Sequence, residues 1–546
     1  MKKKQGWLIS SLLCLVLSAA LLAGCGSNAA ETAEPAVNEA DGEASSEETA
    51  DAGESTGKLS ISVSGGSEDA MNVNTAKSDT LEGLSACRHL YEGLYKLDQD
   101  GNVVLGQASD VQESEDGLTY TFTLRDDITW SDGTAVTAED FVYGWQYLNE
   151  SAGSYSTLLS MVSDAQATDE KTLVVTLAYP CSYLPSVLAF PSAYPVRKDI
   201  VEANGEAYAT DPDKAVYNGA YIMTEWTHQQ SVVMEAREDY YDYANISVGE
   251  LTWQLMSDES TMLASYQSGD IIYSDTYPKE EAAALEGNGL HFTSGYCTFN
   301  VMFNVGEKGP EVLKDQKVRE AMTLVIDRQR LVDIRNLNDE VADTYSPSGL
   351  TNADGVEFNT TVTPWYDLAA YEQNCEKAKE LLKEAGYENG QGFPALTYIV
   401  NNNERKEMAE MIINDWKEVL GITSVTVEIV DGFFAQRDTQ DYDLAYFGWY
   451  MDYPDISNML YTMTTESDND SGYSNADYDQ AYNDATANAD VVKQWEAYAE
   501  CERILAEDLP IAPLLHAQNS YLFDDANYDG LVYYCGNFYF GYVSQK

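Results

Sequence analysis

Between residues 58 and 546 the apolar positions follow two different periods. Residues 58–64 alternate Leu59, Ile61 and Val63 with polar neighbours, the pattern of a half-buried strand. Residues 94–105 carry Asp98-Gln-Asp-Gly101 between apolar flanks, which predicts a hairpin. Residues 118–124 and 172–177 read as further strands. Farther along, 396–400, 404–420 and 425–430 read as strand, helix and strand. That helix sets Met408, Met411, Ile412, Trp416 and Val419 at helical spacing and stops at Gly421. The order is a βαβ unit, so the C-terminal half is expected to hold parallel or mixed pairing. A second amphipathic helix is expected over 371–385, with Gly386 as its C-cap.

One apolar run follows neither period. Trp7 to Leu22 comes after Lys2, Lys3 and Lys4 and ends in Leu22-Ala23-Gly24-Cys25. A basic end, a short apolar core and small residues before a cysteine make a bacterial secretion signal closed by a lipoprotein cleavage box. Cys25 is the expected lipidation site, because its thiolate is the nucleophile that takes the diacylglyceryl group. From Gly26 to Gly57 the chain is almost wholly Gly, Ser, Ala, Thr, Asp and Glu, with nine acidic residues and no basic one. Such a stretch cannot bury enough apolar surface to order itself, so it is expected to be a disordered tether.

Charge and composition narrow the classes of function. With 91 acidic against 31 basic residues the net charge is −60. A charge that negative argues against nucleic acid and against docking to anionic lipid through the protein surface. At 44% hydrophobic residues the chain can build more than one core, and two or three domains are expected. Beyond Cys25 the cysteines are Cys87, Cys181, Cys297, Cys375, Cys501 and Cys535, none in a CxxC spacing. They read mostly as buried thiols, with bridging left open. His89, His228, His291 and His516 form no HExxH or HxH, and no GxSxG elbow or Walker loop is present. Asp468-Asn-Asp470-Ser-Gly472 lacks the ligand set of a calcium loop. Neither catalysis nor a cofactor or metal is expected.

Several blocks carry a resemblance. Asp116-Gly-Leu-Thr-Tyr-Thr-Phe-Thr-Leu-Arg125, Trp130-Ser-Asp-Gly133 and Val136-Thr-Ala-Glu-Asp140-Phe-Val-Tyr-Gly-Trp145 resemble the signature of the family 5 extracellular solute-binding proteins. Physically this block reads as strand, turn and helix start, with Thr137 as N-cap and Glu139 and Asp140 in the first turn. Leu90-Tyr-Glu-Gly-Leu94, Tyr217-Asn-Gly-Ala-Tyr221, Asp315-Gln-Lys-Val-Arg319-Glu-Ala321 with Ile326-Asp-Arg328, and Leu509-Pro510-Ile511-Ala-Pro513 are similar to further family blocks in the same order. The family comprises the oligopeptide- and dipeptide-binding receptors of ABC importers. The resemblance implies an α/β, two-lobed, periplasmic-binding-protein-like fold of type II, with an inserted subdomain and a hinge. By analogy, residues 1–24 are the signal and 25–57 the lipidated tether. Lobe I is then 58–94, 213–296 and 513–546, the insertion 95–212, and lobe II 297–512.

The resemblance also implies a site. Gly448-Trp449-Tyr450-Met451-Asp452-Tyr453 is similar to a segment that lines the family's ligand cleft, where the aspartate receives the peptide's α-ammonium. Carried over by position, Asp452 is that aspartate, and Trp449, Tyr450 and Met451 are the wall and strand beside it. Arg437 stands at a family arginine that meets the ligand's C-terminal carboxylate, while Asp438 and Tyr446 occupy positions that are basic in relatives. Residues 68–70, ending at Ala70, are the counterpart of a second peptide-pairing edge. The implied protein is a monomeric lipoprotein on the outer face of the cytoplasmic membrane, held there by its lipid anchor alone, with an oligopeptide ligand and ABC permease subunits as partners. A sensor for a signalling peptide, or a receptor for an oligosaccharide or nickel on the same scaffold, stays open. Replacing Cys25 by Ser is expected to release the protein from membranes to the medium, read by fractionation, while its ligand affinity stays unchanged.

Overall fold

The computed structural model describes residues 58–546 apart from 152, 352–355, 468 and 489. The signal, Cys25 and the acidic tether therefore lie outside the described residues. The alternating opening segment is strand β1 (Leu59–Ser64), which buries Ile61 and Val63. It leads to helix α1 (Leu81–Leu90), capped by the Thr80 hydroxyl accepting from the Gly83 amide at 3.1 Å. The expected hairpin pairs Tyr95–Leu97 with Val103–Leu105. In its turn the Asp98 carboxylate accepts from the amides of Asp100 and Asn102 at 2.9 and 2.8 Å.

The chain then builds a separate antiparallel sheet from β2 (Ala108–Glu113), β3 (Thr119–Leu124), β4 (Val162–Asp169) and β5 (Thr172–Leu177), in the order β2-β3-β5-β4. Helix α2 (Ala138–Glu150) buries Phe141, Trp145 and Leu148. The carboxylate of Asp140 accepts from the Thr137 amide at 2.9 Å and from the Trp130 indole at 3.2 Å. The tryptophan turn and the helix start thus share one acceptor, and the block is scaffold. The chain returns through β6 (Tyr221–Thr227), β7 (Ser231–Ala236) and β8 (Val248–Gln254) to complete a sheet in the order β1-β8-β7-β6, in which only β1 and β8 run parallel.

The larger sheet is built on two long strands, β9 (Leu290–Phe303) and, at the far end of the chain, Ile511–Phe523. Between them come β10 (Leu396–Val400), β11 (Val425–Ile429) and β12 (Leu444–Tyr450), which makes the last strand β13. Outward from β13 the order is β13, β9, β12, β10, β11, with Tyr273–Ser274 on the outer side of β13. The βαβ unit is present: β10 pairs parallel with β11, and helix α3 (Asn403–Leu420) connects them, ending at Gly421 with φ +71°. Helix α4 (Val491–Asp508) runs into β13. One face of the sheet packs Phe299, Val301, Leu444 and Tyr446, and the other Met302, Ala445 and Phe447.

β9 and β13 pair antiparallel along most of their length and run straight through 296/297 and 512/513, the positions at which the resemblance divides the lobes. The division falls inside continuous strands. The pairing is broken by shifts between Ser294 and Cys297 and between Phe299 and Asn300, and Tyr296 takes φ +46°, left-handed for a bulky residue. Two buried arginines fix the start of β13 to lobe II. Arg319 donates to the carbonyls of Leu509 and Leu313, each at 2.8 Å. Arg328 donates to Pro513 at 2.7 Å and to Thr323 and Ile326 at 3.2 Å.

Beyond β13 the tail turns back over α1. The Phe540 amide donates to His89 Nε2 at 2.9 Å, and His89 Nδ1 lies 2.7 Å from the Ser85 carbonyl. That fixes one neutral tautomer, and burial pushes the imidazole down to about 3. Cys87, Cys181, Cys297, Cys375 and Cys501 are free and buried, and Cys535 is free and half-buried. Among the described residues no helix is long and apolar enough to cross a membrane. Arg328→Met is expected to lower the unfolding free energy by about 2–4 kcal/mol, measured by urea denaturation, because it strands buried carbonyls without a donor.

Candidate functional site

The site grows from the pairing of β12 with β9, in which Tyr450 lies opposite Cys297, Trp449 opposite Thr298 and Gly448 opposite Phe299. Glycine is required at 448, since a Cβ there would sit 2.2 Å from two ring atoms of Phe299. The ring therefore lies over bare backbone and meets Tyr450 edge-on, with centroids 5.9 Å apart. Tyr450 itself is 48% exposed, an aromatic surface left open. Past the strand the Met451 amide donates to the Tyr296 carbonyl at 3.1 Å, so the segment carrying Asp452 hangs on the bulge of β9.

The short helix Ile456–Tyr461 presents Asn458 back to this segment. Its Oδ1 accepts from the Trp449 indole at 2.8 Å and from the Asp452 amide at 3.2 Å, and its Nδ2 donates to Asp452 Oδ2 at 3.1 Å. Tyr155, from the chain after α2, and Cys535, from the C-terminal hairpin, stand close enough to Asp452 to feel its charge. No lysine, arginine or histidine pairs with it among the described residues. Burial pushes the Asp452 carboxyl up to about 6, and the Asn458 hydrogen bond opposes that shift. An enclosed carboxylate without a cation is a group in want of one.

Tyr453 reaches in the other direction. Its ring stacks on Tyr183 at 4.9 Å and an interplanar angle of 11°. Beside it the Ser182 hydroxyl and the Gln494 side chain of α4 lie 3.1 Å apart. Residues 182–183 therefore touch α4 and the segment after β12 immediately next to Asp452, on contacts independent of the crossing strands.

Two expected residues stand elsewhere. Arg437 Nε lies 2.7 Å from Asp470, Nη2 lies 3.2 Å from Asp438, and the guanidinium packs against Phe434 and Phe447. Phe447 is on the face of β12 opposite Tyr446 and Gly448, so Arg437 is neutralised and away from Phe299. Ala70 closes a 3-10 turn, Glu68–Ala70, rather than forming an extended edge. Its amide donates to Ser67 at 3.1 Å, and its carbonyl accepts from the Asn72 amide at 3.0 Å and the Thr80 hydroxyl at 2.5 Å. Its own turn uses up the groups an added strand would need.

Sequence reasoning did not find a second cationic place. Arg405, in the first turn of α3, lies over Phe299 at 3.9 Å and over Tyr446 at 5.0 Å; among the described residues it makes no salt bridge, though the adjacent Glu404 carboxyl feels its charge. One of its guanidinium nitrogens is buried without a hydrogen-bond partner. Arg335 approaches the same ring at 5.2 Å but is paired with Asp339 at 2.7 Å and Glu404 at 3.2 Å. Asn458, Tyr155 and Cys535 were also missed. Among the described residues no three Asp, Glu, His or Cys side chains converge to hold a metal.

Two lobes joined by a pair of continuous strands, with an uncompensated carboxylate and an aromatic wall at their junction, define a two-lobed solute-binding protein of type II. Residues 102–471 match the model of the bacterial extracellular solute-binding proteins, family 5, and the chain belongs to that family. It is thus a binding component of a transporter and not an enzyme. It is 30% identical over 492 residues to the periplasmic oligopeptide-binding protein OppA of Salmonella typhimurium, covering 85% of this chain and 88% of that one. To the oligopeptide-binding protein OppA of Bacillus subtilis it is 26% identical over 574 residues, covering 97% of both. The crystal structure of Haemophilus influenzae OppA in complex with RPPGFSPFR superposes with a TM-score of 0.71 at 26% identity, covering 88% of this chain and 99% of that one.

The raised Asp452 carboxyl sets a sign for stability. The native state holds this proton more tightly than the unfolded chain, so stability falls as pH rises from about 4 through about 6. Asp452→Asn is therefore expected to stabilise the ligand-free protein by about 1–3 kcal/mol at pH 8 and to do nothing at pH 4, measured by urea denaturation.

Proposed function

We propose that this chain is the substrate-binding lipoprotein of an ABC importer and that it captures extended oligopeptides between its lobes for delivery to the permease. The observation that carries this reading is the enclosed, unpaired Asp452 carboxylate at the end of β12 beside the open Tyr450 ring. A peptide's α-ammonium is a cation of the right size and charge for it. Main-chain pairing along the strand binds peptides with little regard to side chains. The names of the Salmonella and Bacillus relatives support the choice of peptides over other solutes. At the other end of the ligand, Arg405 on Phe299 takes the role that the resemblance gave to Arg437, because it makes no salt bridge among the described residues whereas Arg437 is paired with Asp470.

In this reading the protein works as a monomer held by the lipid on Cys25 at the outer face of the cytoplasmic membrane. The lobes close by bending at the bulges of β9 and β13. Calorimetry with tri-alanine tests it. Asp452→Ala is expected to weaken binding at least about tenfold, the cost of stranding one partner of an enclosed ion pair. Arg405→Met is expected to weaken tri-alanine more than its C-terminal amide. Unchanged affinity in the Asp452 variant would sink the assignment.

A further inference from the structure

We propose that Asn458 is a positioning residue of this site: its side-chain amide locks the Asp452 carboxylate and the Trp449 indole into one arrangement while leaving the carboxylate's charge uncancelled for the ligand. The inference rests on the reading of Asp452 as the ligand's ammonium anchor.

The local chain explains how residue 458 reaches residue 452. The Asp455 amide donates to the Tyr453 carbonyl at 2.8 Å and turns the chain. Asp455 then caps the helix, its side chain accepting from the Ser457 amide at 2.9 Å and its carbonyl from the Asn458 amide at 3.0 Å. The first turn so formed aims Asn458 back across the loop, where it is 8% exposed.

The orientation of the amide is forced. An indole N–H and a backbone N–H can only donate, so the atom between Trp449 and Asp452 N must be the carbonyl oxygen. The NH₂ group then has to face Asp452 Oδ2, as observed. One side chain therefore fixes the anchor's backbone, its carboxylate and the aromatic wall together, and the Tyr453 hydroxyl is also within its reach.

Charge decides why an amide serves here. A lysine or arginine at 458 would form an internal ion pair, as Arg437 does with Asp470, and nothing would be left for an incoming cation. An apolar residue would leave the carboxylate free to rotate and without a donor. Asparagine donates without neutralising. The other groups facing Asp452 are Tyr155, Tyr453 and Cys535, with Arg88 acting on Cys535 and Asp455 on Tyr453. Asn458 is thus the side chain that hydrogen-bonds the carboxylate.

The test titrates Asp452 by carbon-13 NMR in the ligand-free full chain and measures tri-alanine and N-acetyl-tri-alanine by calorimetry. Asn458→Ala is expected to move the Asp452 midpoint up by about half a pH unit or more, since a donor to the ionised form is lost. It is expected to weaken tri-alanine about tenfold and the acetylated peptide by a clearly smaller factor, because that ligand brings no ammonium and loses only the setting of the Trp449 wall. Asn458→Asp keeps the volume and both accepted bonds but places a like charge beside Asp452, so its midpoint moves higher still. It carries the test alone if the alanine variant does not fold. A midpoint that stays put, or an equal loss for both peptides, overturns the proposal. Full tri-alanine affinity in Asp452→Ala would overturn the anchor reading instead, and the midpoint series in the ligand-free protein tells the two failures apart.

Discussion

The pairing of β9 with β13 is the constraint on which the rest depends. These two strands are long enough to belong to both lobes, and they lie side by side through the junction. Lobe II is arranged around them: β12 pairs with β9, and β10 and β11 extend the same sheet. The buried arginines at 319 and 328 make no salt bridge among the described residues and spend donors on backbone carbonyls around the start of β13. That use of charge is costly, and Arg328 Nη2 is buried without a partner.

The site runs against stability. An ionised carboxylate held away from water without a partner destabilises the empty protein, and Asn458 offsets only part of that. Phe299, Gly448 and Tyr450 show the same logic in apolar terms. A glycine admits the ring, and an exposed tyrosine is left where an ordinary surface would carry a polar residue. Stability is given up locally where the proposed reading seats the ligand.

How much was legible beforehand depends on how local the determinant is. The βαβ unit around α3, the Thr137 helix start and the Asp98 turn are written within a few residues each, and all three stand where the periodicity placed them. β9 and β13 gave no alternating signal, because in the span that carries the lobe II core both faces are covered. A motif singled out Asp452 as a candidate, whereas Asn458 lies beyond a proline and a helix cap, where no spacing rule ties it to Asp452. Arg405 looked like any polar residue on the first turn of a surface helix. Arg437 was assigned by alignment alone, and only the structure shows the Asp470 that occupies it. Contacts such as Tyr183 on Tyr453 join segments far apart in the chain and could not be foreseen.

The stack of Tyr183 on Tyr453 has a consequence for selectivity. It is protein against protein, so whatever it contributes is the same for every cargo. A receptor that gains much of its grip from itself compresses the differences between cargoes, which favours breadth over discrimination.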